Sequence, residues 1–119
     1  MPSSVPPPSY LATRVVREGD GIRLILSGEL DMNGVLETEH AVEAAAELSK
    51  GRLIIDLSEL EFMDLFGARA LLRAADAAIT GDREVVIANP RTHARRLFEL
   101  ITDLARGRAL VIDLVQPAG

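Results

Sequence analysis

Residues 52–79, RLIIDLSELEFMDLFGARALLRAADAAI, read as a strand, a turn and a helix in succession. LIIDL at 53–57 is a short apolar run with two β-branched residues, the pattern of a strand buried on both faces. From Ala68 onward the apolar positions Leu71, Leu72, Ala75, Ala78 and Ile79 recur three and four apart, which is the stripe of an amphipathic helix. Between the two lies FMDLFG at 62–67. Asp64 is the predicted N-cap, because a short carboxylate accepts from the orphan N–H groups of a first helical turn. A helix start carries a partial positive charge of about half an elementary unit. Such a join is a natural place for an anion or a phosphorylated side chain.

The remaining chain alternates around this unit. Residues 10–17 form a strand centred on Val15 and Val16, Gly19-Asp20-Gly21 makes a hairpin turn, and residues 22–27 return. Glycines in the following GELD and Asn33-Gly34 let the chain turn sharply. Residues 35–49 are helical, with Val35, Thr38, Val42, Ala45 and Ala46 on one face and Gly51 as the C′ residue. Glu39, Glu43 and Glu47 run down another face at i, i+4 spacing, with Lys50 after them. That row is either a solvated face or a docking edge for a basic partner. Residues 84–88 are a buried strand, and Asn89-Pro90 opens a helix with Pro90 in its first turn. Its core stripe is Ala94, Leu97, Phe98, Ile101 and Leu104, with Arg91, Arg95 and Arg96 facing away beside Glu99. Residues 109–114 are the last strand. The order ββαβαβαβ predicts an α/β domain with a mixed, mostly parallel sheet of about five strands, an opening β-hairpin and three main helices. Short strand-to-helix loops predict neither a lid nor a deep pocket.

Composition narrows the function classes. At 119 residues with 48% apolar and 26% charged residues, one soluble domain over residues 10–115 is expected. Residues 1–9, MPSSVPPPS, read as a disordered proline-rich tail, and 116–119 as a second tail. A net charge of −5 argues against a nucleic-acid partner. Zero Cys removes disulfides, thiol nucleophiles and thiolate metal sites, and fits a cytoplasmic protein. No run reaches the roughly 20 apolar residues needed to span a bilayer, so no membrane insertion is expected.

Enzyme signatures are absent: no P-loop, no dinucleotide fingerprint, no paired-histidine zinc motif and no nucleophile elbow. His40 and His93 sit on different predicted helices, so no metal site and no cofactor is expected. Asp31, Asp56 and Asp64 fall at or near strand ends. Clustered there, they could hold Mg²⁺ or accept a phosphoryl group, which keeps open a nucleotide-binding or carboxylate-dependent enzyme using Asp31 and Asp64.

Three stretches in order carry a resemblance to a known family. They are LSGELD at 26–31, LIIDLSELEF at 53–62, and MDLFG at 63–67 followed by ALL at 70–72; Asn89-Pro90 also fits. Together they resemble the STAS domain, in its stand-alone bacterial form as an anti-sigma factor antagonist, over most of the chain. The resemblance implies a STAS-like fold and a non-catalytic, partner-switching role. Such a protein binds an anti-sigma factor, usually a serine-kinase ATPase, and its kinase phosphorylates the first Ser after the Asp at the helix start. Phosphate then breaks the complex by bringing nearly two negative charges into a packed interface.

The chain departs from that pattern at the phosphoacceptor. The position is Leu65 and the next is Phe66, so phosphorylation there is excluded by chemistry. Ser58, Thr38 and Thr80 are hydroxyls elsewhere and do not match. On a helical wheel Phe66 falls opposite the core stripe with Arg69, Ala70, Arg73 and Ala77. Leu65 and Phe66 either fold inward or form an exposed apolar patch ringed by arginines, the usual mark of a contact surface. The expected partner-binding residues are Asp31, Asn33, Asp64, Leu65, Phe66, Gly67, Arg69 and Arg73. The alternative roles are a STAS subunit of a larger assembly, such as a lipid-transport ATPase complex or a stressosome-like scaffold, and a homodimer is possible.

Overall fold

The computed structural model describes residues 10–102 and 110–112, so the 1–9 and 116–119 tails and Leu104 lie outside the described residues. β1 (Leu11–Glu18) and β2 (Gly21–Leu30) form an antiparallel hairpin, with Leu11 opposite Gly28 and Glu18 opposite Gly21. A 3₁₀ turn at Met32–Gly34 leads into α1 (Val35–Leu48), and the chain continues as β3 (Leu53–Met63), α2 (Leu65–Ala78), β4 (Val85–Ala88), α3 (Thr92–Thr102) and β5 (Leu110–Ile112). The five strands lie in the order β1-β2-β3-β4-β5, and every pair after the hairpin is parallel. Each crossover moves one strand in the same direction. Right-handed crossovers of that kind put all their helices on one face. One core cluster accordingly gathers Leu24, Leu26, Ile55, Leu57 and Ile87 from the strands with Val42, Leu71, Ala75 and Phe98 from the three helices. The opposite face carries a small separate cluster, Ile54, Val86 and Ala88.

Four local expectations need correction. β2 does not end at Ser27. It runs to Leu30 because Gly28 forms a bulge at φ +89°, and its pairing to β3 shifts register there rather than stopping. Likewise β3 continues for eleven residues to Met63, since Glu29 and Leu30 pair with Phe62 and Met63. Gly51 is not the C′ residue of α1: extended Ser49 is the C-cap, and its hydroxyl donates to the Asp20 carbonyl at 2.6 Å. A Cβ on Gly51 would run into that same Asp20 carbonyl, so Gly51 serves close backbone approach. Pro90 precedes α3 instead of opening it. Asn89 takes a left-handed φ of 58° and turns its amide onto Asp56, which leaves Pro90 and Arg91 as the connector.

Candidate functional site

The carboxyl ends of β2 and β3 meet the start of α2, and a few hydrogen bonds fix the joint. Asp64 is the N-cap in extended conformation, and its Oδ1 accepts from the Gly67 N–H at 2.8 Å. The Asp64 N–H donates to the Leu30 carbonyl at 3.1 Å, tying the cap to the end of β2. Gly67 is buried against Leu30, and a Cβ there would lie 2.8 Å from Leu30 Cγ. Asp31 plays a matching part next door: it caps the 3₁₀ turn and accepts from the Asn33 N–H at 2.9 Å. Two short carboxylates thus hold two adjacent turns, and both are occupied by backbone donors.

Those turns push apolar side chains outward. Phe66 is 56% exposed and Leu65 39% exposed, so the inward alternative does not hold. Met32, Leu36 and Phe62 are exposed at the same end of the molecule. The chain has three Phe, and two of them sit here on the surface. A soluble domain rarely leaves large apolar side chains in one such cluster without a contact to make. Phe62 stacks on His93 of α3 with ring centroids 6.0 Å apart, and His93 Nε2 lies 3.0 Å from the Met63 carbonyl oxygen. The sequence had placed Phe62 in the join between strand and helix without showing its exposure. Met32, Leu36 and His93 lie outside the motifs and became visible only when three elements were brought together.

Asn33 and Arg69 are exposed beside the patch. Arg73 is exposed too, but it lies seven residues beyond Phe66, about 10 Å along the helix, and lines a groove between α1 and α2. Ala70 is fully buried, against the helical-wheel expectation. Because α2 packs against both α1 and α3, its flanks are covered as well as its inner face. A wheel with one inner face misses that.

The three aspartates do not converge. By strand alternation Asp56 lies on the sheet face away from the helices, between inward-facing Ile55 and Leu57. Its Oδ2 receives Arg23 Nη1 at 2.8 Å, and its Oδ1 receives the Ser58 N–H at 2.9 Å and the Asn89 amide at 3.2 Å. Burial pushes this carboxyl up, but the Ser58, Asn89 and Arg23 hydrogen bonds outweigh it and hold it below the ordinary carboxylate value. Glu18, bonded to Arg23 Nε at 3.0 Å, is the main cause that raises the guanidinium pKa. Among the described residues no group of three or more His, Asp or Glu is placed to hold a metal ion. Asp31 and Asp64 each give one carboxylate oxygen to a backbone N–H of their own turn. No helix among the described residues is long and apolar enough to cross a membrane.

A family model described as Mlab, STAS domain, matches residues 13–116. An anti-sigma factor antagonist from Mycobacterium paratuberculosis is 27% identical, with a TM-score of 0.62 over 84% of this chain and 85% of that one. The Bacillus cell fate determinant SpoIIAA in its phosphorylated form is 22% identical, with a TM-score of 0.58 over 88% of this chain and 93% of that one. The anti-sigma factor antagonist SpoIIAA in its unphosphorylated form gives 20% identity and a TM-score of 0.57, covering 87% and 90%. At these identities the likeness to SpoIIAA is one of fold. No protein of curated function matches the sequence.

Proposed function

The chain belongs to the STAS family, and from that premise we propose that it is a cytoplasmic, non-catalytic binding module that grips a serine-kinase-type anti-sigma factor through the start of α2. The observation that carries this reading is the exposed Leu65–Phe66 pair on a cap held by Asp64. Neither side chain has a hydroxyl, so the contact is not switched off by phosphate at that turn. Phe66 and Leu65 supply apolar area, Met32 and Phe62 extend it, and Asn33 and Arg69 form the polar rim, the usual anatomy of an interface. The Arg69 charge and the positive end of the α2 dipole favour an acidic edge on the partner.

The test is Phe66→Asp, with affinity for the cognate ATPase anti-sigma factor read by calorimetry. Completing the burial of a half-exposed Phe contributes about 1–1.5 kcal/mol. An unpaired carboxylate in its place adds about 2 kcal/mol of desolvation. The dissociation constant should rise about 100-fold or more, while an acidic residue in a first helical turn leaves the free protein folded. Unchanged affinity means that the patch is not the interface.

A second reading has its own support. The matching family model is described as Mlab, STAS domain, rather than as an antagonist, and a helix start without a hydroxyl suits a permanent subunit. In that reading the same patch seats a lipid-transport ATPase complex. Affinity pull-down followed by mass spectrometry separates the two: a kinase-like anti-sigma factor with its sigma factor, or transporter subunits.

A further inference from the structure

A groove of about 770 Å³ runs between α1 and α2, well away from the Leu65–Phe66 end. Short connecting loops made such a space unexpected; it is an open valley between two helices instead of a loop-walled pocket. Its floor is small and apolar, with Val42 and Ala46 from α1 and Ala74 and Ala78 from α2. The rims carry opposite charges. Glu39, Glu43 and Glu47 line the α1 side, Arg73 and Arg83 line the α2 side, and Lys50 stands at the end of α1. None of these six side chains forms an ion pair among the described residues. The acids and bases face the same groove yet stay apart across it.

We propose that this groove is a self-association face, and that its occupant is a second copy of this chain packed about a two-fold axis running along the groove. That axis lays the α1 of one protomer over the α2 of its partner. Each glutamate row then meets the partner's Arg73 and Arg83, and the same contacts recur by symmetry. An axis across the groove would set glutamates on glutamates and is disfavoured. The charge balance points the same way. The whole chain carries −5, so two copies repel on average, but three acids and three bases on this face cancel. The helices are each fourteen residues, about 21 Å long, so two side by side offer a face of roughly 20 by 20 Å. That is small for a stable dimer, so self-association is expected to be weak and reversible. Neither Leu65 nor Phe66 lines the groove, so the dimer is independent of what that end binds.

Sedimentation equilibrium of the full chain tests this. The wild type should dimerise reversibly, and more weakly as salt rises from about 0.05 M to about 0.5 M. Two charge-reversed variants follow, Glu43→Arg with Glu47→Arg, and Arg73→Glu with Arg83→Glu. Each alone should weaken self-association at least about tenfold, because like charges then face each other twice per dimer. An equimolar mixture of the two should recover a heterodimer, since one copy now offers five bases and one acid and the other five acids and one base. Circular dichroism checks that both fold. A wild type that stays monomeric throughout overturns the proposal and leaves the groove to a helix of another protein. Variants that dimerise like the wild type, or a mixture that fails to recover the dimer, overturn it as well.

Discussion

Gly67→Ala should destabilise the protein although it places a better helix former in a helix. In the third position of α2, glycine to alanine favours the helix by up to about 1 kcal/mol. The tertiary joint opposes it. The new Cβ would sit 2.8 Å from Leu30 Cγ and even closer to the Leu30 carbonyl oxygen. Carbon atoms pack at about 3.5 Å or more, so α2 must withdraw from β2 by roughly 0.7 Å. Leu30 has little room to yield: it is fully buried, and its carbonyl already accepts the Asp64 N–H at 3.1 Å. Overpacking of this kind costs about 1–3 kcal/mol. Straining the Asp64 bond adds about 0.5–1.5 kcal/mol. Set against the helix gain, the net is a loss of about 2 kcal/mol, or a melting temperature lower by about 8 °C. Urea denaturation measures it. Ala77→Gly, at an exposed position of the same helix, calibrates the propensity scale at about 1 kcal/mol. If Gly67→Ala is neutral or stabilising, helix propensity governs the site and the close approach to Leu30 is not what holds α2.

Asp64→Ala should cost about 1 kcal/mol in the same assay, since it removes the acceptor of the Gly67 N–H. The Asp56 carboxyl titrates below its ordinary value of 3.8 in the folded state, so the unfolded chain binds more protons in the window between the two values. Its contribution is complete above about pH 4 and is lost as pH falls through the folded pKa; Asp56→Asn should flatten that acid limb in melts taken from neutral pH downward. Leu65→Ser restores a hydroxyl at the first position of α2, and incubation with the serine-kinase anti-sigma factor and ATP should then add one phosphate by intact mass. The wild type treated alongside should stay unmodified at that turn; a Leu65→Ser protein that also stays unmodified argues against a kinase partner.

Periodicity and chain order were enough to place β3, α2 and the cap between them, because a buried apolar run, a 3.6-residue stripe and a short carboxylate are local properties. The element order was legible for the same reason, and that Leu65 and Phe66 carry no hydroxyl is plain from their identity. Strand ends were not. β2 and β3 extend past their apolar runs because each supplies the other's hydrogen bonds, from Ser27 opposite Glu59 to Leu30 opposite Met63, and no residue announces a partner's length. Ala70 looked peripheral until α1 and α3 closed on both flanks of α2. Asp56 looked like a free carboxylate until Arg23, Ser58 and Asn89, far apart in sequence, surrounded it.

The sequence by itself determined that a capped helix follows a buried strand and that its first turn has no group to phosphorylate. Only the tertiary structure decided which way Leu65 and Phe66 face. Exposure is set by the neighbours a side chain meets, and here the close packing of Gly67 on Leu30 lowers the third residue of α2 onto the sheet and leaves the first two above it. It likewise decided that the glutamates of α1, Arg73 of α2 and Arg83 beyond it face one groove, a relation between helices that no single helical wheel contains.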